Sequence, residues 1–268
     1  MKILLLGGTK DSTEIIKHLK KNYECNILTT TTTEYGSKLA IESGSDETIS
    51  KPLLKNELIE LINKSDFDVL IDATHPFASH ITQTSIIVSE ICEIPYIRFE
   101  RPPLNLEDID TSHIIYAESF EIAGKIISER FSDKNILHFA GANTMEDILK
   151  NVSSERFYPR ILKVKSSIEK CEKLAIPQNH IIAMKGVSSL KENIDLIEKY
   201  NASVIITKES GKTGGVIEKI KAANTKDIAI IMIKRPVIKQ LDEKNIINNL
   251  DELDEKLKKI VLNAETEI

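Results

Sequence analysis

The chain is short of the residues and patterns that mark several broad classes of protein. Its 268 residues include three cysteines, Cys25, Cys92 and Cys171, and no two of them form a C-x-x-C pair. We therefore expect neither a disulfide framework nor a thiolate metal site. No apolar run approaches the roughly 18 residues of a membrane span, and the opening run at Ile3–Leu6 is too short for a signal peptide. These absences favour a cytoplasmic protein without membrane contact.

The chain also lacks an excess of positive charge. Lysine and arginine number 36 against 41 aspartates and glutamates, which leaves a formal net charge of −5. Non-specific binding to nucleic acid depends on a positive field, so we expect no nucleic-acid partner. The hydrophobic content of 41% is enough for a substantial core in one large domain or two of ordinary size. The sequence does not indicate whether the protein has protein partners.

Apolar, strand-like runs alternate with amphipathic helical patterns along nearly the whole chain. The predicted strands are Ile3–Leu6, Ile27–Thr31, Val69–Ala73, Tyr96–Phe99, Ile136–Ala140, Ile161–Val164, Ile181–Met184, Val204–Thr207 and Ile228–Ile233. Such alternation predicts an α/β fold with mainly parallel sheets. The irregular stretch from Pro102 to Ser112 predicts a boundary near residue 105, between lobes at 1–105 and 106–268. The tail from Asp242 has the pattern of a charged surface helix.

A glycine turn follows the first predicted strand. Gly7-Gly8-Thr9 stands between that strand and a helix whose start is indicated by Asp11 and Glu14, which have the spacing of a capping box. Glycines allow a phosphate to approach the backbone, and the helix start offers free N–H groups to it. The G-x-G-x-x-G fingerprint is absent, so a plain tight turn stays open beside phosphate binding.

A run of threonines and one acidic residue ends the second predicted strand. In a dinucleotide-binding fold this position meets the adenosine ribose, where an acidic side chain accepts from the hydroxyls and a basic one favours a 2′-phosphate. Glu34 follows Thr29–Thr33, and no arginine is near. The pattern favours NADH, with NADPH as the alternative. The threonines are equally consistent with plain strand formation.

The heptapeptide Asp72-Ala73-Thr74-His75-Pro76-Phe77-Ala78 is the most informative segment of the chain. It follows the apolar run Val69–Ile71, and ligands of open α/β sheets bind at the carboxyl ends of strands. His75 is suited to donate a hydrogen bond or a proton near neutral pH, or it only braces the loop. No pair with the spacing of a zinc site accompanies it, so we expect no metal.

Two later loops also follow predicted strands. In the loop Thr207–Gly215, Gly211-Lys212-Thr213 resembles the end of a Walker A motif. The first glycine of that motif would have to be at position 206, which is Ile, so a P-loop is excluded. The remaining interpretations are an anion-binding turn and a plain strand–helix junction. Met184–Ser189 is the other loop, and it combines a lysine, a glycine and hydroxyls. No nucleophile elbow is present, so nucleophilic catalysis is not indicated.

These segments together resemble one enzyme family, the precorrin-6A reductases of cobalamin biosynthesis, and most closely those of the anaerobic cobalt-precorrin branch. The resemblance covers nearly the whole chain. It is carried by Leu6–Thr9, Asp72–Ala78, Ile94–Pro102, Ala183–Gly186, Thr207–Gly211, Gly214-Gly215 and Lys219. The D-A-T-H-P-F-A segment followed by Arg98-x-x-Arg101-Pro102 is specific, whereas the glycine loops alone are not.

The resemblance implies two Rossmann-like lobes with a cleft between them. It implies transfer of a hydride from NADH or NADPH to carbon C19 of the macrocycle, with a proton added at C18, and cobalt then belongs to the substrate. Members that use NADPH tend to carry an arginine in the loop after the second strand, where this chain has Glu34. The residues after Gly186 also differ, since Val187-Ser188 replace an aromatic residue or proline.

The expected site residues follow from these segments. We expect cofactor contacts from Gly7, Gly8, Thr9, Asp11, Thr30, Thr31, Thr32, Glu34, Asp72, Ala73, Thr74, His75, Pro76, Phe77, Ser210 and Gly211. The substrate, an anionic tetrapyrrole with many carboxylates, should meet Arg98, Arg101, Lys185, Gly186, Lys208 and Lys212. His75 and Lys208 are the candidate proton donors.

Two other functions compete with the reductase. One is another Rossmann-type oxidoreductase or epimerase, but no tyrosine has a lysine four residues later, as those enzymes usually do. The other is a sensor that binds NAD(P) without turnover.

Overall fold

The computed structural model describes residues 1–211 and 214–266, and it contains two six-stranded sheets whose described strand pairs are all parallel. The first half of the chain consists of β1 (Lys2–Leu6), α1 (Lys10–Asn22), β2 (Asn26–Thr31), α2 (Glu34–Glu42), β3 (Glu47–Ser50), α3 (Lys55–Asn63), β4 (Val69–Asp72), α4 (Ser79–Ile91) and β5 (Tyr96–Phe99).

The second half repeats this alternation. Its elements are β6 (Ile114–Ala117), α5 (Phe120–Arg130), β7 (Asn135–His138), α6 (Met145–Leu149), β8 (Phe157–Ile161), α7 (Lys165–Lys173), β9 (Ile182–Ala183), α8 (Leu190–Lys199), β10 (Ala202–Lys208), α9 (Val216–Thr225) and β11 (Ala229–Ile233). The chain ends with β12 (Ile246–Ile247) and α10 (Leu250–Thr266). The predicted α/β class with parallel sheets is confirmed.

The strand orders place one switch point in each sheet. The first sheet has the order β12-β5-β4-β1-β2-β3, and the second has β6-β11-β10-β7-β8-β9. The chain therefore moves outward on one side of β1 and resumes on the other side at β4. It does the same around β7 and β10. Ligands of open parallel sheets bind at such reversals, outside the carboxyl ends of the strands.

The central strands of the first sheet are buried on both faces. Along β1, Ile3 and Leu5 pack into one hydrophobic cluster while Leu4 and Leu6 pack into another. Successive side chains of a strand point to opposite faces, so a continuous apolar run is required where helices cover both faces. This requirement explains why the run Ile3–Leu6 is visible in the sequence.

The chain divides into two compact units that differ from the predicted lobes at the C-terminus. Unit 1 is Met1–Pro102 together with the chain from Pro236 onward, and unit 2 is Pro103–Arg235. The prediction assigned everything after residue 105 to the second lobe. In the structure β12 pairs with β5, and Leu253 and Leu257 of α10 are buried in the core of unit 1. A two-residue strand and a mostly polar helix gave no signal of this return.

Strand β8 is displaced from its predicted position. The apolar residues Ile161–Val164 predicted a strand there, but β8 covers Phe157–Ile161 and Leu162 is 47% exposed. Phe157, Pro159 and Ile161 are the buried side chains of β8, and Tyr158 and Arg160 alternate with them. Pro159 lacks a backbone donor and disfavours a strand assignment in the sequence. The shift brings Arg160 into the sheet.

The start of α1 also differs from the expected capping box. Thr9, and not Asp11, is the N-cap: its Oγ1 accepts from Ser12 N at 3.0 Å, and Ser12 Oγ accepts from Thr9 N at 3.1 Å. Asp11 lies in the first turn of the helix. In the described part of the chain no helix is both long and apolar enough to cross a membrane.

Candidate active site

The loops after β1 and β4 are joined at the switch point of unit 1. Gly7 N donates to Thr30 O at 2.8 Å, which closes the turn onto β2. Thr9 Oγ1 donates to the Ala73 carbonyl at 2.8 Å. The structure therefore brings together Gly7, Gly8, Thr9 and Ala73, which the sequence placed in two separate motifs.

The two glycines of the first turn serve different purposes. A Cβ on Gly7 would lie 2.9 Å from Thr29 Cγ2, so Gly7 is required by packing. Gly8 has φ +91°, and the nearest atom to its ideal Cβ is Thr31 Cβ at 4.0 Å. Only glycine adopts such a φ readily. The face of Gly8 is open, as approach of a phosphate to the backbone requires.

Asp11 and Arg101 form an ion pair beside this turn. Arg101 Nε lies 2.5 Å from Asp11 Oδ2, and both residues are nearly buried. An unpaired carboxylate in the first turn of α1 would repel a phosphate at the helix start. Arg101 neutralises that charge. Asp11 was predicted to contact the cofactor and Arg101 to contact the substrate, and in the structure the two side chains form an ion pair with each other.

Asp72 is the centre of a buried hydrogen-bond network. Its Oδ1 accepts from Thr74 N at 3.0 Å, Thr74 Oγ1 at 2.6 Å and Arg98 Nη1 at 2.7 Å. Its Oδ2 accepts from Thr82 Oγ1 at 2.7 Å and Tyr96 Oη at 3.1 Å. Five donors on one carboxylate fix the backbone at the start of the D-A-T-H-P-F-A loop.

Arg98 lies inside this network, which differs from the predicted substrate contact. The residue is 0% exposed, and its Nε donates to Glu100 Oε1 at 2.9 Å. Burial lowers the pKa of Arg98, but Asp72 and then Glu100 raise it more, so that the net shift is upward. Arg98 lies on β5 in register with Asp72 on β4, and its guanidinium is enclosed by the protein.

The loop carrying His75 has a defined hydrogen-bond pattern. His75 Nδ1 accepts from Phe77 N at 3.2 Å, and the two rings lie 5.9 Å apart. Because Nδ1 is the acceptor, the neutral ring carries its proton on Nε2. His75 is half-buried and Pro76 is buried. This hydrogen bond sets the tautomer of a half-buried ring on the loop after β4.

The threonine run divides into inward and outward side chains. Thr30 and Thr31 are buried, and Thr31 Oγ1 hydrogen-bonds with Ser37 Oγ at 2.9 Å. Thr32 is exposed, as is Glu34 at the first position of α2. Glu34 is therefore the solvent-facing carboxylate at the end of β2.

The switch point of unit 2 carries a lysine with a low pKa. Lys208 ends β10, and its Nζ lies 5.7 Å from the centroid of the Phe120 ring. Burial penalises the ammonium form and lowers the pKa of Lys208 to about 8. An amine that titrates close to neutral pH is suited to proton transfer.

His138 ends the neighbouring strand β7 and is fully buried. Its Nε2 lies 3.0 Å from Thr144 Oγ1 and 3.2 Å from the Gly141 carbonyl. Burial, followed by repulsion from Lys208, outweighs the hydrogen bond to Gly141 and lowers the pKa of His138 to about 3. The imidazole is therefore neutral at pH 7 and braces the loop after β7.

The other predicted residues of unit 2 lie on loops at the same sheet edge. Ser210 is buried and Gly211 has φ +73°, while Arg235 Nη2 donates to Glu209 Oε1 at 3.1 Å. Lys185 and Gly186 are exposed. Lys212 lies outside the described residues.

Arg160 is a charged residue of this edge that the sequence analysis missed. Its Nη2 donates to the Gly186 carbonyl, and its guanidinium lies 5.8 Å from the centroid of the Phe139 ring. Phe157, Pro159 and Ile161 alternate with polar residues, and this alternation was the available signal for a strand that contains Arg160. Pro159 obscured the signal because proline disfavours a strand assignment.

Comparison with known proteins shows the family of this chain. Residues 2–258 match the family described as "Precorrin-6x reductase CbiJ/CobK". The chain is 37% identical to the cobalt-precorrin-6A reductase of Methanothermobacter thermautotrophicus, over 97% of this chain and 85% of that protein. It is 39% identical to the cobalt-precorrin-6A reductase of Methanocaldococcus jannaschii, over 94% of this chain and 96% of that protein.

A solved structure shows the same fold. The structure titled "CobK precorrin-6A reductase" superposes with a TM-score of 0.76 at 16% identity, and the match covers 97% of each chain. The family match spans both sheets and both switch points. This chain is therefore an oxidoreductase that belongs to the precorrin-6x reductase CbiJ/CobK family.

Proposed function

We propose that this protein reduces one carbon–carbon double bond of cobalt-precorrin-6A, with NADH as the hydride donor. The observation that carries the proposal is the pair of switch points, one with an open glycine turn and one with a lysine of pKa about 8. The first suits a dinucleotide, and the second suits an anionic substrate that must also gain a proton.

The residues of unit 1 fit a nicotinamide dinucleotide. When bound, the cofactor supplies the hydride, and no protein nucleophile is needed. The open backbone at Gly8 and the start of α1 suit the pyrophosphate. Glu34, exposed at the end of β2, suits the ribose hydroxyls. His75, on the loop after β4, is a further proposed contact of the cofactor.

Lys208 is the proposed proton donor to the macrocycle. Reduction adds a hydride at C19 and a proton at C18, and Lys208 gives up its proton and is reprotonated from solvent. Its partly buried ammonium also attracts the substrate carboxylates, as does the exposed Lys185, and the neighbouring Gly186 is a further proposed substrate contact. His75 is the alternative donor. His138 is excluded as an acid because its pKa is about 3.

The reaction is tested by anaerobic incubation of the purified protein with cobalt-precorrin-6A and either NADH or NADPH. We expect the product mass to rise by two hydrogen atoms while an equal amount of cofactor is oxidised. The metal-free substrate distinguishes the cobalt requirement from the reaction itself. Cofactor binding by folded protein without turnover on either substrate would contradict the proposal and favour a sensor.

Changing Glu34 should change the cofactor preference. In Glu34→Arg a cation replaces the carboxylate at the end of β2, where a 2′-phosphate would lie. We expect the ratio of kcat/KM for NADPH to that for NADH to rise at least about tenfold, which corresponds to about 1.4 kcal/mol.

Glu42→Arg is the matched control for this change, because Glu42 is exposed at the other end of the same helix. It makes the same charge change and should leave the ratio unaltered. An equal shift in both variants would show that net charge, and not the position of Glu34, sets the preference.

A further inference from the structure

We propose that Lys219 is a positioning residue: its side-chain amine connects the strand end that carries Lys208 to the glycine turn that follows. Lys219 Nζ donates to Thr207 Oγ1 at 3.1 Å and to the Gly214 carbonyl at 3.2 Å. We call these two hydrogen bonds the Lys219 bridge. The inference rests on the proposed reductase function and adds to it a residue that acts through Lys208 and the turn.

Lys219 occupies a position that is unfavourable for a cation. It lies in the first turn of α9, at the positive end of the helix dipole, and is only 4% exposed. Among the described residues no carboxylate forms an ion pair with it. A buried cation without such a partner costs stability. A contribution to stability therefore does not explain the lysine at position 219, whereas a role in holding a functional loop in place explains it.

The charges around Lys219 come from three elements. Arg160 on β8 and Lys208 on β10 repel the ammonium, and Glu218 on α9 attracts it. Burial is the largest effect, and with the two cations it lowers the pKa of Lys219 to about 7. Lys219 therefore interacts electrostatically with Lys208 and is hydrogen-bonded to the turn at Gly214.

The turn that receives the bridge is sterically determined. A Cβ on Gly214 would lie 1.9 Å from Ser210 Oγ, so Gly214 packs directly against a residue of the predicted site. Gly215 has φ +64°, and a Cβ there would lie 2.1 Å from Val187 Cγ1. Gly214 N also donates to the Gly211 carbonyl at 3.1 Å, which links the acceptor of the bridge to the residue after Ser210. Through this packing the Lys219 bridge controls the backbone around Ser210 and Gly211.

Lys219→Met tests the bridge, because methionine fills the space and removes the amine that donates both hydrogen bonds. We expect kcat to fall about 100-fold, as misplacement of a catalytic group does, while KM for the nicotinamide cofactor stays within about twofold. Hydrogen exchange of the peptides with Glu209–Gly211 and Gly214–Val216 should accelerate at least about tenfold, because their local structure opens more often. Lys221→Met, an exposed lysine on the same helix, is the control and should change neither quantity.

Thr207→Val removes one acceptor of the same bridge and serves if Lys219→Met fails to fold. If the bridge is the cause, the double variant loses no more activity than Lys219→Met alone. Additive losses, or unchanged exchange in the turn with kcat within about twofold, would overturn the proposal. The hydrogen-exchange measurement does not depend on turnover. An inactive wild-type protein would therefore refute the reductase function, while the exchange rates would still test the Lys219 bridge.

The pH dependence of stability gives an independent check. The pKa of Lys219 is about 7 in the folded protein against an ordinary 10.5, so the unfolded chain binds more protons between these values. The contribution of Lys219 to stability therefore rises with pH across that window. Lys219→Met should lose this rise relative to Lys221→Met. A difference between the two variants that does not vary with pH would mean a solvated ammonium and would overturn the proposal.

Discussion

Replacement of Lys208 with methionine should lower kcat by about 10²- to 10⁴-fold, the usual contribution of a general acid. The reason is that Lys208 ends β10 at the switch point of unit 2 and burial lowers its pKa to about 8. Single-turnover measurements under anaerobic conditions would give the rate of the chemical step. Lys208→Arg keeps the positive charge, but a guanidinium does not give up its proton near neutral pH. Compared with Lys208→Met, this variant should therefore recover substrate binding but little of the catalytic rate.

The pH profile should show the same group. Proton donation requires the ammonium form, so the wild-type rate should be level below pH 8 and fall by about tenfold per pH unit above it. The residual rate of Lys208→Met should lack this decline. Lys234→Met is the control, because Lys234 is exposed and follows the adjacent strand β11. A decline near pH 8 that persists in Lys208→Met would assign the proton to another group, with His75 as the next candidate.

Replacement of Arg98 with methionine should destabilise unit 1 by about 3–5 kcal/mol, because it leaves the buried carboxylate of Asp72 without its cation. Arg98 is completely buried and donates to Asp72 and Glu100. The total stability of a domain is only about 5–15 kcal/mol, so the loss should be visible as a much lower urea midpoint. Since the two units can unfold separately, hydrogen exchange of unit 1 peptides is the better measurement.

The variants around Arg98 separate an ion pair from simple packing. Asp72→Asn should also destabilise unit 1, and the double variant Asp72→Asn/Arg98→Met should lose less than the sum of the two single changes. Lys55→Met removes an exposed cation of unit 1 and should stay within about 0.5 kcal/mol of wild type. An Arg98→Met protein of wild-type stability with weakened substrate binding would support the original prediction of a substrate contact.

The contrast between Arg98 and Lys208 shows which features of a charged residue can be predicted from the sequence. Both follow apolar strand residues, and both were predicted to meet substrate. The burial of Arg98 depends on the register that places it beside Asp72, and no pattern within β5 reveals that partner. Lys208 ends a strand that borders a switch point, so its position was accessible from the strand prediction alone.

The loops after β1 and β4 illustrate the same limit. Each was recognisable because a buried parallel strand must be apolar and the residues at its carboxyl end are released from that requirement. Their contact through Thr9 Oγ1 and the Ala73 carbonyl joins residues 64 positions apart, which only strand order can bring about. Lys219 was visible as part of a family resemblance, but its burial was not.

The local sequence by itself determined the α/β class, most of the strands and the family, because hydrophobic periodicity and short polar motifs are properties of neighbouring residues. Tertiary structure decided which charges are internal, where the chain from Pro236 returns to unit 1, and that Arg160 belongs to β8. These outcomes depend on partners distant in the chain, and the free energy of a charge is set by what surrounds it once the sheets have formed.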